Sequence, residues 1–247
     1  MTAMSLKEQT RTKDLKVGHS VFEFVTPGIG HILKNAGCDF VFLDMEHSGF
    51  GFETLKAAVR YFEAANLPCL TRVPSQETHH IARALDMGAE AIMTPMVNDA
   101  DEAQAIVNAM RYVPDGERGV ALGIAHDNYR SGAVLDTLKA ANERTTYVPL
   151  IETRAGVENA AQIAALDGVD CLWIGHFDLS CSLGIPGEFD HPDFVKAVKA
   201  VKAAARKHGK ALGRLVSTPE HGVALYKEGF DFICYSGDVW VLGEAVK

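Results

Sequence analysis

The chain has 247 residues, 47% of them hydrophobic, and its 24 Lys and Arg against 32 Asp and Glu give a formal net charge of −8. That is apolar material enough for one large α/β core, while the acidic balance argues against a nucleic-acid or anionic-membrane partner, which needs clustered Lys and Arg. Five cysteines without a Cys-x-x-Cys spacing speak against a disulfide or zinc framework, and no apolar run reaches the roughly 18 residues of a membrane span.

The opening stretch, Met1 to Asp14, is polar, includes a short helix and lacks the apolar core of a signal peptide, so the expectation is a cytoplasmic protein with reduced, buried cysteines. Val17 to Val25 reads as a first strand, closed by Thr26-Pro27-Gly28. A helix follows over Ile29 to Ala36, with Gly37 as its stop. Asp39 to Leu43 is a second apolar strand, then Phe52 to Ala65 an amphipathic helix. Pro68 to Thr71, Glu90 to Thr94 and Tyr147 to Ile151 are strands three, four and five. The intervening helices cover Glu77 to Met87, Ala100 to Arg111 and Ala133 to Asn142, with a long irregular stretch from Tyr112 to Asn128. A helix over Ala155 to Leu166 leads to strand six, Cys171 to Ile174. A long helix, His191 to His208, precedes strand seven, Ala211 to Val216. Thr218-Pro219 opens a helix running to Glu228, and Asp231 to Tyr235 is strand eight.

Eight alternations of strand and helix without a compositional break predict one (β/α)8 TIM barrel over 1–247, with its chemistry at the C-terminal strand ends. The last stretch, Ser236 to Lys247, is short for a closing helix. Polar residues gather at the expected end: Glu23 near strand one, Asp44, Glu46 and His47 after strand two, Arg72 after three, Glu152 after five and Asp178 after six. Glu152 and Asp178, closing consecutive parallel strands, are placed to share a divalent cation, and hard oxygen ligands suit Mg²⁺ or Mn²⁺. Arg72 offers a bidentate clamp for a carboxylate. In Asp44-x-x-His47 the carboxylate can hold one imidazole nitrogen and raise the basicity of the other.

Each residue also has a structural alternative. Glu152 and Asp178 fit first-turn or capping carboxylates, Arg72 fits a rim ion pair, and His47 fits a loop histidine. Ser217-Thr218 and Ser236-Gly237 follow strands seven and eight, where barrels often bind phosphate. No Lys stands at a strand end in a position suited to Schiff-base chemistry.

The segments Phe42-Leu43-Asp44-Met45-Glu46-His47, Thr71-Arg72-Val73-Pro74, Leu85-Asp86-Met87-Gly88-Ala89, Thr94-Pro95-Met96-Val97, Ile151-Glu152-Thr153-Arg154 and Ile174-Gly175-His176-Phe177-Asp178-Leu179-Ser180 together resemble the HpcH/HpaI aldolase family over nearly the whole chain. The resemblance implies a modified (β/α)8 barrel, a homohexamer whose subunits exchange the C-terminal helix, and a metal-dependent aldolase in aromatic-compound catabolism. Its substrates would be 4-hydroxy-2-oxo acids, made from or cleaved to a pyruvate-type 2-oxo acid and an aldehyde. It implies Glu152 and Asp178 as ligands of Mg²⁺ or Mn²⁺, with Co²⁺ or Zn²⁺ also admissible, and Glu46 near the metal and its waters. It implies Arg72 on the oxo acid, backbone around Gly175, His176 and Phe177 against it, and His47 with Asp44 as the acid–base pair. The related alternative is an acyl-CoA carbon–carbon lyase of the citrate lyase β or malyl-CoA type. A non-catalytic barrel that binds a carboxylate metabolite is a third reading. Two departures stand out: His176-Phe177 where the family often has Pro-Ala, and Leu150 where it often has Gln.

Overall fold

The structure is a computed structural model describing residues 4–247; Met1 to Ala3, part of the polar opening stretch, lie outside the described residues. A short helix α1 (Leu6–Gln9) precedes β1 (Lys16–Val21), α2 (Ile29–Asn35), β2 (Phe40–Asp44), α3 (Phe52–Ala64), β3 (Cys69–Arg72), α4 (Thr78–Asp86), β4 (Ala91–Thr94) and α5 (Ala100–Met110). Beyond an irregular segment with one 3₁₀ turn (Ala125–Asp127) come α6 (Val134–Arg144), β5 (Thr146–Ile151), α7 (Arg154–Glu158), α8 (Ala160–Ala165) and β6 (Cys171–Ile174). The chain closes with α9 (His176–Ser182), α10 (Pro192–Lys207), β7 (Ala211–Val216), α11 (Pro219–Glu228), β8 (Phe232–Gly237) and α12 (Asp238–Ala245).

The eight strands pair in sequence order, all parallel, and β8 returns to β1, so the sheet closes into the predicted barrel. Alternation along each strand separates two cores. Outward residues such as Leu43, Ile92, Ile174 and Leu212 meet the helices. Inward residues fill the barrel, with Phe40 edge-on to Phe232 at 5.4 Å and Phe42 stacked on Trp173 at 6.1 Å. Glycine makes room for the large rings: a Cβ on Gly18 would overlap the Phe40 ring, and one on Gly213 would overlap Trp173. Bulky and absent side chains thus alternate across facing strands, leaving a packed interior rather than a pore.

Two elements depart most from the sequence reading. β1 ends at Val21 rather than Val25, because the Asp238 carboxylate accepts the backbone N–H groups of Phe22, Glu23 and Phe24 and turns the chain off the sheet. The expected helix over Ala155 to Leu166 breaks at Asn159, whose side-chain amide donates to the Asn98 carbonyl at 2.9 Å. The short tail forms α12, entered directly from β8. Of the five cysteines expected to be buried, Cys171 and Cys234 are buried in the barrel, Cys38 and Cys69 are half-buried, and Cys181 is exposed on α9. Among the described residues no helix is long and apolar enough to cross a membrane.

Candidate active site

The inward files of side chains continue past the strand ends, which is how the polar residues converge. On β2 the file Phe40, Phe42 is followed by Asp44; on β3, Leu70 by Arg72; on β5, Leu150 by Glu152; and on β6, Trp173 by Gly175. Registration of β2 with β3 sets Asp44 directly beside Arg72. Arg72, Glu152 and Gly175, with Glu23, His47, His176, Phe177 and Asp178, line one cavity of about 570 Å³ at the C-terminal mouth of the barrel, floored by Phe42, Leu150 and Trp173, while Asp44 lies buried behind Arg72.

Asp44 is fully buried and accepts from Arg72 Nε at 3.0 Å, from Arg72 Nη2, and from the backbone N–H of Glu46 and His47 at 2.8 and 3.3 Å. The expected Asp44–His47 acid–base pair is therefore not formed: the bond between them goes to the His47 backbone. Its ring, on an exposed loop, instead lies with Nε2 3.7 Å from Glu46 Oε2. The reason is register: a guanidinium on the adjacent strand reaches Asp44 first and claims both its oxygens. Burial alone would lower the Arg72 pKa, but the bonds and charge of Asp44, with Glu46 and Glu152 nearby, carry it above the ordinary value.

Glu46 Oε2 lies 3.1 Å from Arg72 Nη1, yet no donor meets it along a hydrogen-bonding direction, so it remains a buried acceptor with spare capacity. Burial raises the Glu46 pKa against the pull of Arg72. Glu152 accepts from the Met96 backbone N–H at 2.7 Å. Burial, with Asp178 and Glu46 adding, still pushes its carboxyl up to about 8. Gly175 gives Glu152 its room, since a Cβ there would overlap Glu152 Oε2 and stand 2.8 Å from its Cβ. Asp178 occupies the exposed first turn of α9, and α9 begins at His176 without a side-chain cap. Burial, then Arg214 and His221, bring His176 down to about 3, so its ring is neutral.

Three carboxyls, Asp44, Glu46 and Glu152, thus surround one guanidinium, Arg72, and a fourth, Asp178, stands near enough to Glu46 and Glu152 to raise the pKa of both. Among the described residues no three His, Cys, Asp or Glu side chains are yet drawn around one ligating point. The crowding, the spare acceptor on Glu46 and the oxygen-only donor set nevertheless fit a hard divalent cation, whose charge would offset the excess.

Ser217-Thr218 and Ser236-Gly237 do other work. Thr218 caps α11 by accepting from the His221 N–H at 3.2 Å, the Ser236 carbonyl accepts from the Ser20 hydroxyl, and Gly237 packs under two aromatic rings. The sequence reading passed over Met96, whose N–H orients Glu152, and over Asp238, Phe22, Leu215 and Trp240. The alternation of Gly213 and Leu215 on the inward file of strand seven, and an Asp opening the last helix, were the available signals.

The family profile described as HpcH/HpaI aldolase/citrate lyase matches residues 25–242. A hydroxypyruvate/pyruvate aldolase of Chromohalobacter salexigens is 34% identical over 222 residues, covering 90% of this chain and 87% of that protein. The crystal structure of an HpcH/HpaI aldolase/citrate lyase family protein from Burkholderia cenocepacia superposes with a TM-score of 0.90 at 32% identity, covering 98% of this chain and 95% of that one. The crystal structure of the citrate synthase SbnG gives 0.86 at 28% identity, over 98% of this chain and 94% of its own.

Proposed function

The chain belongs to the HpcH/HpaI aldolase/citrate lyase family, and from that premise we propose that it is a divalent-metal-dependent aldolase making or cleaving 4-hydroxy-2-oxo acids from a pyruvate-type 2-oxo acid and an aldehyde. The observation that carries the reading is the surplus of carboxylates around Arg72 at the mouth of the barrel.

Glu152 and Asp178 would hold the ion, Mg²⁺ or Mn²⁺, with Glu46 beside them. When bound, the ion supplies a Lewis acid that stabilises negative charge developing on the oxo acid. Arg72 keeps donors free on Nη1 and Nη2 after serving Asp44, and these grip the carboxylate and the developing enolate. Asp44 is a positioning residue: it fixes the guanidinium plane and folds the loop that carries Glu46 and His47. His47, steered by Glu46 rather than by Asp44, moves the proton to or from the aldehyde oxygen. The backbone from Gly175 to Phe177 closes over the oxo acid, and the neutral ring of His176 brings no competing charge.

Deuterium exchange at C3 of pyruvate, followed by NMR without any aldehyde, tests this directly. Exchange that disappears with EDTA and returns with Mg²⁺ or Mn²⁺ is expected; exchange untouched by full chelation refutes metal dependence. The similarity to a protein named citrate synthase favours a second reading, condensation of an acyl-CoA with a 2-oxo acid. Arg72 is the one Lys or Arg among the residues lining the cavity, which leaves the phosphates of CoA unmatched there. Release of free CoA from acetyl-CoA with oxaloacetate or glyoxylate would select that reading. A cytoplasmic homo-oligomer, a hexamer by resemblance, completes the proposal: α12 packs Trp240 on its own Phe22 and exposes Val241, Leu242 and Val246, an apolar strip suited to contact with a second copy.

A further inference from the structure

Beyond Arg72 the cavity changes character. Its outer part is lined by Phe22, Phe177, Leu215, Val239 and Trp240, over a floor formed by Trp173. The wall is built, not incidental. Asp238 accepts from the N–H groups of Phe22 and Glu23 at 3.0 Å each, of Phe24 at 2.8 Å and of Val239 at 2.9 Å. This sets the Phe22 and Trp240 rings 4.9 Å apart, and Gly237 lies so close beneath that a Cβ would be 2.9 Å from each. Phe177 and Trp240 nevertheless stay 61% and 49% exposed, large rings with unfilled faces beside a polar reaction centre.

The charges at this end are equally one-sided. Arg72, the cation of the cavity, is engaged by Asp44 and Glu46 and, on the proposed function, takes the donor carboxylate. Arg214, near His176, points from β7 to the outer side of the sheet, with its guanidinium 5.5 Å from the Phe194 ring. Glu23 and Asp178 stand at the mouth and repel a second anion. A carboxylate or phosphate on the aldehyde would thus meet aromatic rings and acids, with no cation left for it.

We infer that the acceptor is an uncharged aldehyde bearing an aromatic or bulky apolar group, received against Phe177 and the Phe22–Trp240 pair. This rests on the donor reading above and adds the identity of the second substrate. In the addition direction C3 of the 2-oxo acid loses a proton and its electron pair forms the bond to the aldehyde carbon. The aldehyde oxygen takes up one proton, so the product is the sum of the two reactants.

Benzaldehyde and 4-carboxybenzaldehyde share one ring and differ by one charge. With pyruvate and Mg²⁺, kcat/KM for benzaldehyde is expected to exceed that for its carboxylated analogue by about tenfold or more. Trp240→Ala, checked for folding by circular dichroism melting, should raise the benzaldehyde KM by about fivefold and narrow the gap between the two. Equal or reversed preference in the wild-type protein overturns the inference. The donor reading is monitored separately by pyruvate deuterium exchange in the absence of aldehyde. If exchange is absent the donor reading fails, and calorimetry of the same two aldehydes still tests the pocket, tighter binding of the carboxylated one overturning the inference.

Discussion

Asp44→Asn is the sharpest probe of how the site is held. The side chain keeps its shape, and the amide oxygen can still take the three donors converging on Oδ1, the N–H groups of Glu46 and His47 and Nε of Arg72. The amide nitrogen must then face Arg72 Nη2, donor against donor, in a place with no access to water. Breaking a buried ion pair by neutralising one partner costs about 3–5 kcal/mol, because the other charge stays desolvated. Arg72 can answer only by leaning on Glu46, its remaining anion. A shift of about 1 Å in a group that orients substrate costs roughly 10²-fold in rate. Urea unfolding and pyruvate C3 exchange, measured on the same preparation, read both effects. A variant within about 0.5 kcal/mol of wild type that also exchanges at the wild-type rate would show that Arg72 is held by something other than Asp44.

Other outcomes follow from the same geometry. Glu152→Gln should lower Mn²⁺ affinity by about 10²-fold or more in calorimetry, and unaltered affinity would remove Glu152 from the ion's surroundings. Because Glu152 titrates at about 8 in the folded chain against 4.5 ordinarily, the folded state holds a proton that the unfolded state has released between those values. Metal-free stability therefore falls as pH rises through that window, by at most about 1.4 kcal/mol per unit from this group, and metal affinity climbs toward pH 8 as the proton becomes easier to displace. A flat pH profile for both quantities contradicts this. Gly175→Ala drives a Cβ into Glu152 and should abolish most exchange activity while costing about 1–3 kcal/mol in stability; full activity would mean that Glu152 can work from another position.

The barrel was legible because its strands are short apolar runs punctuated by Gly and followed by helical spacing, and because the polar residues keep phase with the strand ends. What period and phase do not encode is which side chain on a neighbouring strand arrives first. Asp44 and His47 are close in sequence and invite pairing, but the β2–β3 register brings Arg72 to Asp44 across 28 residues of chain. The end of β1 was misjudged for a similar reason. Phe22 to Val25 has strand-like composition, and only Asp238, at the far end of the chain, withdraws those N–H groups from the sheet. The Glu46 side chain gave no hint of its idle oxygen, because lacking a donor is a property of the assembled neighbourhood rather than of the residue.

The clasp between Phe22 and Asp238 also has a temporal meaning. Its partners are 216 residues apart, so at roughly 5–20 residues per second a ribosome needs about 10–40 s to deliver the second after the first. Until then β1 lacks its β8 neighbour, and the first aromatic ring of the acceptor wall has nothing to lean on. Sealing the barrel and finishing the wall of the cavity are consequently one late event, which waits for α12 to emerge.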